Sequence, residues 1–312
     1  MSAEIVCVGQ IVADVVVHPV AGLPPTGSAA LVKGIELKTG GCGCNTAVLL
    51  RKLGQPAALL GKLGRDAFGD FLAGRLQTAG LDLGGIVRDA STLTSSVIVL
   101  IGTSGERSFL YCPGANEQLT LDDIAWQAIE RSRMVHVGGI MKLDSLDIAE
   151  LLRRAKALGK TTSLDTDWDP TGRWFDTIEP FLPYTDLFLP SLDEARLIAG
   201  LEAPSEIARF FLDRGPKVVA LKLGEQGCYI RTADRECRLP AYGVDVVDTT
   251  GAGDAFVAGF LAGWRMGWPL EKCGLLGNAC GGLCVTRIGT TDGVASLKEC
   301  VSFMESAAPA AK

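Results

Sequence analysis

The chain has 312 residues, of which 47% are hydrophobic and 21% charged, with 36 acidic against 30 basic residues. A chain of this length forms one large or two modest domains and buries roughly 75% of its unfolded surface, so its core needs no disulfide or metal. The net charge of −6 and the absence of clustered Lys or Arg in the sequence argue against nucleic acid as a partner, because phosphate backbones bind basic patches.

The first residues, MSAEIVCVGQIV, lack the basic region of a signal peptide, and later apolar runs are broken before the ~18 residues of a membrane span. The sequence therefore predicts a cytoplasmic protein without membrane contact. One Cys-x-Cys pair and two histidines do not supply a tetrahedral zinc site, so we expect buried free thiols. The ten cysteines stand at positions 7, 42, 44, 112, 228, 237, 273, 280, 284 and 300.

The first part of the chain is rich in predicted strands. Residues 4–17 form two apolar runs around a glycine, and the run that follows TGGCGCN has helical spacing and ends at Gly54. A further strand and helix follow, and then two strands joined by a TSGE turn. These later elements are predicted at residues 57–64, 66–80, 95–101 and 107–112.

After about residue 120, strands alternate regularly with longer helical segments. This alternation predicts an α/β fold: a doubly wound, mostly parallel sheet with helices on both faces. The strand-rich segments at about 12–39 and 93–116 are predicted to form a small β-sheet lid on a single domain spanning 1–305, with 306–312 a frayed tail. The predicted helices are 121–131, 146–158, 191–199 and 205–214, and the predicted strands are 134–137, 161–165, 187–189 and 218–223.

The stretch VVDTTGAGDAFVAGFLAG, residues 246–263, places two aspartates in an apolar region. Residues 244–247 are strand-like, 251–253 are small, and a helix is expected from Asp254. The unpaired N–H groups of such a junction form an anion site, although an Asp there is also an ordinary N-cap. The sequence has no GxxxxGK[ST], GxGxxG, GxSxG or HRD–DFG pattern, so this site belongs to none of those classes.

DTTGAGDAFVAGF resembles the C-terminal signature of the ribokinase-like carbohydrate kinases, also called the phosphofructokinase B family. TGGCGCNTAVLLRKLG, residues 39–54, resembles the N-terminal signature of that family. The resemblance covers nearly the whole chain and implies a doubly wound domain with a β-sheet lid. It also implies ATP-dependent phosphorylation of a sugar hydroxyl, with ATP and Mg²⁺ as cofactors.

The resemblance implies a role for each matching residue of the C-terminal signature. Asp254 would be the base that takes the proton from the attacking sugar hydroxyl. The backbone N–H groups of Gly251, Ala252 and Gly253 would stabilise charge on the transferred phosphoryl group.

On the substrate side, the resemblance implies that Asp14, Gly40, Gly41 and Asn45 contact the sugar, and Asn116 borders it. Glycine lets the backbone approach a ligand, and Asn offers a donor and an acceptor to a diol. Asp14 taken alone is more typical of a turn or of an exposed carboxylate between two strands. Cys42 stands where ribokinases proper have Lys, which argues against ribose itself.

On the nucleotide side, Ser191 and Glu194 match an Asn-x-x-Glu segment in which the Glu is associated with phosphate and, through water, with magnesium. The same two residues also form a capping-box pattern. The resemblance further assigns Lys222, Gly224 and Gly227 to the strand beneath the nucleotide. It places Asn278 beside the adenine.

A monovalent-cation loop, for potassium, is a further implication of the family resemblance. A carboxylate and carbonyl oxygens suit a hard cation, although Asp248 is also typical of a turn. The matching residues are Asp248, Thr250, Cys284, Arg287 and Gly289.

The segment SLDTDWDPTGRW carries Asp165, Asp167 and Asp169, and loosely resembles a DPN-x-R segment of keto-sugar-acid kinases. We expect one of these acids to face the sugar pocket and the others to be solvated, with a metal cluster as the alternative.

The substrate-side segments carry little positive charge beyond Lys33, Lys38 and Arg173, so a neutral sugar or polyol is the expected acceptor. The alternatives are a nucleoside kinase of the same family, with Tyr111 or Phe109 stacked on the base, and a non-catalytic sugar-binding relative. A homodimer through the lid is expected, because an exposed sheet needs its edges or face covered.

Overall fold

The computed structural model describes residues 3–103, 106–169 and 171–306. Its strands are β1 Ile5–Gly9, β2 Val12–Val20, β3 Gly34–Gly40, β4 Ala57–Gly64, β5 Ile86–Asp89, β6 Ser96–Gly102, β7 Arg107–Cys112, β8 Met134–Gly138, β9 Thr161–Leu164, β10 Leu187–Phe188, β11 Val218–Lys222, β12 Cys228–Arg231 and β13 Glu236–Leu239. Its α-helices are α1 Cys42–Lys52, α2 Ala67–Thr78, α3 Gly114–Glu117, α4 Trp126–Arg131, α5 Ile148–Ala157, α6 Trp174–Ile178, α7 Leu192–Ala199, α8 Pro204–Leu212, α9 Ala252–Arg265, α10 Leu270–Cys284 and α11 Leu297–Ser306.

The main sheet has the strand order β13-β12-β11-β10-β9-β8-β1-β4-β5. Neighbours from β11 to β5 pair in parallel, and β12 and β13 add an antiparallel edge. The chain moves outward from β1 in both directions, so the strand order reverses between β1 and β8. Such a reversal opens a crevice at the carboxyl ends of the strands, where ligands bind.

Helices cover both faces of this sheet, as the regular alternation predicted. Along β1, Ile5 and Cys7 belong to one buried cluster, with α1, α9 and α10, whereas Val6 and Val8 belong to the other, with α5, α7 and α8. A strand buried on both faces is the mark of a doubly wound sheet. The predicted fold class is confirmed.

A second, four-stranded sheet has the order β3-β2-β6-β7. Its strands fall within the two segments predicted to form a lid, and we call it the lid sheet. β2 and β6 pair in parallel at its centre, while β3 and β7 pair antiparallel at its edges. The turn between β6 and β7 lies partly outside the described residues.

Two predicted elements differ from the structure. The helix predicted at 121–131 is split into a 3₁₀ turn, Leu121–Asp123, and α4. The Asp123 carboxylate accepts from the backbone N–H of Thr120 at 2.9 Å, which stabilises the 3₁₀ turn as a separate element. It also pairs with Lys62 at 2.9 Å. The strand predicted at 244–247 is absent from the described structure; Val247 N donates to the Val285 carbonyl in the α10 region instead of to a strand.

Other local predictions agree with the structure. Gly54 follows the C-terminal end of α1 with φ of 74°, the left-handed conformation that glycine adopts at little cost. All ten cysteines are free thiols. No helix among the described ranges has the length and apolar character needed to cross a bilayer. Most of the predicted tail, residues 307–312, lies outside the described residues.

Candidate active site

Two clefts meet at the carboxyl edge of the main sheet, beside the N-terminus of α9. Each encloses about 630 Å³, and Lys222, Gly224 and Gly253 line both. The first cleft carries the polar residues Cys42, Asp165, Asp167, Glu194 and Asp254, and the second is walled largely by apolar residues and glycines.

The N-terminus of α9 begins at a glycine for a steric reason. Gly251 is the N-cap with φ of 81°, and a Cβ there would lie 2.5 Å from the carbonyl oxygen of Thr290. Asp254 is therefore the third residue of the helix, and the interpretation of Asp254 as the N-cap is wrong. Ala252 N already donates to the Thr249 carbonyl at 3.3 Å, whereas Gly253 faces both clefts.

Asp254 is 8% exposed and lines the first cleft. Its Oδ2 accepts a hydrogen bond of 2.7 Å from Asn45 Nδ2, and Asn45 Oδ1 accepts one of 2.9 Å from Thr290 Oγ1. Burial raises the pKa of Asp254, and the Asn45 hydrogen bond and the charge of Lys222 oppose that rise. The amide predicted to bind a diol thus holds the carboxylate in place.

Asp14 lies on β2 and is 8% exposed. A Cβ at Gly40 would lie 2.2 Å from Asp14 Oδ1, and one at Gly41 would lie 2.5 Å from the Gln10 carbonyl oxygen. The diglycine therefore allows the carboxylate and the backbone to approach closely. Burial, and then the negative charge of Asp254, raise the pKa of Asp14 to about 7.

Asn116 is buried where the lid sheet returns to the main domain. It is 1% exposed, its Oδ1 accepts from Ile11 N at 3.0 Å, and its own N–H donates to Ser95 Oγ at 2.9 Å. It does not belong to the residues that line either cleft in the described structure. Its side chain joins the backbone between β1 and β2 to the end of the lid sheet.

The three acids that follow β9 are all bound by protein groups, so the expectation that two of them are solvated is wrong. Both carboxylate oxygens of Asp165 accept from Lys222 Nζ, at 2.7 and 2.9 Å. Asp167 binds Lys142, Met141 N and Gln10 Nε2, and Asp169 accepts from the backbone of Thr171 and Trp174. Within the described ranges, no His, Cys, Asp and Glu group has the arrangement of a metal cluster.

Lys222 is the central cation of the site. Its side chain is 12% exposed and that of Asp165 is 2% exposed, so the pair is shielded from water. Although burial opposes the charge, Asp165 and Glu194 raise the pKa of Lys222, which keeps an ammonium group between the two clefts. The sequence left a lone solvated lysine as the more common alternative, and the structure excludes it.

Glu194 and Ser191 form the predicted capping box at the start of α7. Glu194 N donates to Ser191 Oγ, and Ser191 N donates to Glu194 Oε2, both at 3.3 Å. The same Oε2 accepts from Thr166 Oγ1 at 2.7 Å. The Glu194 side chain is thus fixed where it lines the first cleft.

The second cleft is shaped by Tyr242, Val244 and Phe256 on its walls and by glycines of α10 on its floor. Asn278 lines it, but its Nδ2 donates to the carbonyls of Leu239 and Pro240, at 3.3 and 2.9 Å. Asn278 therefore holds the chain that borders the cleft. Gly227 allows that chain to pass, because a Cβ there would lie 2.0 Å from the Leu239 carbonyl oxygen.

The family model described as pfkB family carbohydrate kinase matches residues 2–297. The chain belongs to this family. It is 31% identical to Fructokinase-1 of Oryza sativa subsp. japonica, over 98% of this chain and 99% of that protein. It is 28% identical to 2-dehydro-3-deoxygluconokinase of Bacillus subtilis (strain 168), over 85% and 86% of the two chains.

Solved structures agree with this family assignment. A Ribokinase of Arabidopsis thaliana complexed with Ribose and ATP superposes with a TM-score of 0.85, at 25% identity over 98% of this chain and 99% of that one. A candidate Ribokinase II from E. coli, in complex with ATP and Mg²⁺, gives a TM-score of 0.87 at 25% identity, over 97% and 99%. The chain is an ATP-dependent carbohydrate kinase.

The residues of the kinase fit ATP and magnesium. The second cleft offers an apolar slot for a planar base. Lys222 and the first turn of α9 lie where the two clefts meet. Glu194 and Thr166 supply the carboxylate and hydroxyl oxygens that Mg²⁺ prefers, directly or through water. Gly224, with φ of 59°, forms the turn beneath Lys222.

The predicted potassium ligands of the kinase come together only in part. Gly289 N donates to Asp248 Oδ2 at 3.1 Å, and Cys284 Sγ lies 3.6 Å from the Thr250 carbonyl oxygen, whereas Arg287 is exposed. Asp248 Oδ1 accepts from Thr250 N at 2.9 Å and from Thr250 Oγ1 at 2.7 Å. The turn-forming interpretation of Asp248 is thus correct as a description of its contacts.

Sequence reasoning missed four residues of the kinase site: Gln10, Lys142, Thr290 and Arg107. Gln10 and Lys142 follow β1 and β8, so the rule that ligands lie beyond strand ends could have found them. Thr290 and Arg107 carry no local signal, because their roles depend on contacts with distant residues.

The two aromatics named for the nucleoside alternative lie on β7 of the lid sheet. Lys142 Nζ lies 5.6 Å from the centroid of the Tyr111 ring, and the Tyr111 hydroxyl is 3.5 Å from Asn116 Nδ2. Phe109 is 58% exposed on the lid sheet and lines neither of the two clefts described here.

Proposed function

We propose that the kinase phosphorylates a hydroxyl of a neutral sugar or polyol, with Asp254 as the general base. The observation that carries the proposal is the position of Asp254, which lines the first cleft one residue after Gly253 and is held by Asn45. Asp254 takes the proton of the acceptor hydroxyl, the hydroxyl oxygen bonds to the γ-phosphorus of ATP, and the bond to the bridging oxygen breaks to release ADP.

The anion-stabilising groups of this proposal are the backbone N–H groups of residues 251–253. Gly253 is the strongest member, because it faces both clefts, whereas Ala252 N is partly engaged by the Thr249 carbonyl. Lys222 adds a fixed positive charge at the same point. Preorganised donors of this kind stabilise developing charge without reorganising during the reaction.

Bound magnesium neutralises phosphate charge, and Glu194 is the residue we assign to holding it through water. Its carboxylate is already oriented by Ser191 and Thr166. The proposal does not include potassium, because both oxygens of the Asp248 carboxylate, the charged ligand predicted for it, already accept from protein donors.

A neutral acceptor is favoured by the charge balance of the first cleft. Five acidic and three basic side chains line this cleft, so its excess of negative charge disfavours an acidic substrate. The acidic residues are Asp165, Asp167, Asp193, Glu194 and Asp254, and the basic residues are Arg196, Lys222 and Arg238. Several curated relatives are named fructokinases, which are kinases of a neutral sugar.

A substrate panel scored by ADP release tests this function. Neutral hexoses, pentoses and polyols form one arm, and 2-dehydro-3-deoxygluconate and nucleosides form two others, with the Asp254→Asn variant as background. We expect the highest kcat/KM in the first arm. A sugar acid or a nucleoside that exceeds every neutral sugar by more than tenfold would overturn the choice of acceptor, though not the kinase activity.

We also propose a homodimer through the lid sheet and a cytoplasmic location. Ile35, Ile98 and Leu110 are 67%, 40% and 58% exposed on one face of that sheet, and a second copy would cover them. The free thiols support a reducing compartment. Light scattering after size-exclusion chromatography, and fractionation of cells, check the two statements; a monomeric mass would contradict the first.

A further inference from the structure

Arg107, the first residue of β7, reaches from the lid sheet to the loop that precedes α9. Its Nη2 donates to Asp248 Oδ1 at 2.6 Å, and its Nη1 donates to Thr249 Oγ1 at 3.2 Å. The side chains of Arg107 and Asp248 are 21% and 10% exposed, so water screens this ion pair less than it screens a surface pair.

The carboxylate of Asp248 has its oxygens occupied by protein donors. Besides Arg107, Oδ1 accepts from the N–H and the hydroxyl of Thr250, and Oδ2 accepts from Gly289 N. Although burial opposes the charge, the bonds from Thr250 and Gly289 and the guanidinium of Arg107 lower the pKa of Asp248. The counter-charge that a bound monovalent cation would bring is therefore already supplied by the chain.

Acceptors in the loop 289–291, which contacts Asp248 through Gly289, are also engaged. Lys52 Nζ donates to the Thr291 carbonyl at 2.7 Å, and Cys284 Sγ lies 3.3 Å from the Thr290 carbonyl oxygen. Arg287 is exposed, and its Nη1 donates to the Asp292 carbonyl at 3.5 Å. A free monovalent ion would therefore have to displace the cationic groups of Arg107 and Lys52 from acceptors of this region.

The loop held in this way supports the active site directly. Thr290 follows Gly289, and its hydroxyl donates to Asn45, which in turn donates to Asp254. The Thr290 carbonyl oxygen packs so closely on Gly251 that no side chain fits there. A change in the charge at Asp248 therefore reaches both the base and the N-terminus of α9.

We propose that Arg107 is a built-in cation that neutralises Asp248 in the place where the family resemblance implied potassium, and that it positions the loop 248–251 for catalysis. Arg107 acts through Asp248 and is a positioning residue. The consequence is a kinase whose rate does not depend on potassium, and which becomes responsive to potassium once Arg107 is removed.

The test compares KCl with tetramethylammonium chloride at equal ionic strength, for the wild-type protein and for Arg107→Ala. Wild-type rates should agree within about twofold in the two salts. Arg107→Ala should lose about tenfold in kcat in tetramethylammonium, as expected for a lost charge-assisted hydrogen bond, and should recover part of it in potassium or on addition of guanidinium at low millimolar concentration. Arg107→Lys keeps the charge and should stay insensitive to the choice of salt.

Two further variants separate a positioning role from a general loss of structure. Arg153→Ala removes an arginine that is 52% exposed in a surface pair with Glu150, and it should change neither rate nor salt response. Asp248→Asn combined with Arg107→Ala removes the acidic ligand, and potassium should then have no effect. Saturable activation of the wild type by potassium, or an Arg107→Ala variant that is insensitive to salt, would overturn the proposal.

The rate comparison rests on the proposed function, because it needs a sugar that is phosphorylated. A melting measurement needs no substrate and tests the role of Arg107 independently. Potassium at ~100 mM should raise the melting temperature of Arg107→Ala by about 2–4 °C relative to tetramethylammonium, and that of the wild type by less than about 1 °C. If no sugar is phosphorylated, the assignment of substrate fails while the melting result still decides the role of Arg107. Equal shifts in the two proteins count against the built-in cation.

Discussion

The two clefts enclose similar volumes, about 630 Å³ each, but differ in the polarity of the residues that line them. The first is lined by carboxylates held by hydrogen bonds and by cationic side chains, and the second largely by glycines and apolar side chains. Ordered charges fix positions and protonation states, whereas an apolar slot binds by shape and burial. The comparison indicates that substitutions in the first cleft change kcat, and substitutions in the second change the KM for ATP.

The largest effect in the first cleft is expected for Asp254→Asn. The variant keeps the shape of the side chain and loses the base, so kcat should fall by about 10²–10⁴-fold with little change in the KM for ATP. Initial rates of ADP release give both constants. A variant within a few-fold of wild type would show that the first cleft does not carry the proton transfer.

The next largest effect is expected for Lys222→Met, which leaves Asp165 buried without its partner. Removing one member of a buried pair costs about 3–5 kcal/mol of unfolding free energy, measured by urea denaturation. Lys217→Met is a matched control, because Lys217 is 75% exposed and should cost less than about 1 kcal/mol. A double variant with Asp165→Asn should recover much of the loss; failure to recover it would mean that packing, rather than the ion pair, dominates.

In the second cleft, Gly282→Leu tests whether substitutions there change the KM for ATP rather than kcat. A Cβ at Gly282 meets only ordinary contacts, the nearest at 3.6 Å, so the helix accepts the change while the side chain occupies space beside the cleft. The KM for ATP should rise about tenfold with kcat nearly unchanged, as for a loss of uniform binding. Gly74→Leu, on exposed α2 with open space around it, is the control; a large fall in kcat for Gly282→Leu would contradict the division between the clefts.

The smallest expected effect is a change in pH dependence. The Asn45 hydrogen bond lowers the pKa of Asp254 against the rise caused by burial, so Asn45→Ala should move the acidic limb of kcat/KM to higher pH. Activity of the variant should then fall by a few-fold more than that of the wild type below neutral pH. Thr290→Val leaves the Asn45–Asp254 bond and should move the limb less. Parallel profiles, offset by a constant factor, would mean that Asn45 does not set this pKa.

Much of the fold and part of the site could be predicted before any contact was known. The alternation of apolar strands and helices is a local pattern, so the parallel sheet and the flanking helices followed from it. Gly251 and the diglycine at 40–41 mark positions where a Cβ does not fit. Val244–Val247, by contrast, was predicted as a strand because β-branched residues favour strands, and no neighbouring strand was there to pair with it.

The partners of the charged residues could not be predicted, because the two members of each pair lie far apart in the sequence. Lys222 and Asp165 lie 57 residues apart, and Arg107 and Asp248 lie 141 apart. Asp165 and Asp167 share a segment and a charge, yet one binds Lys222 and the other binds Lys142 and Gln10. No rule of spacing distinguishes them.

The fold class, the family and the position of Asp254, the proposed base, near the start of a helix could be predicted from the sequence, since they depend on local periodicity, chain order and small residues. The amide that holds Asp254, the lysine that neutralises Asp165 and the arginine that neutralises Asp248 became known only from the folded structure. A charge buried at the carboxyl edge of a sheet needs a partner, and that partner comes from whichever strand or loop the fold brings beside it.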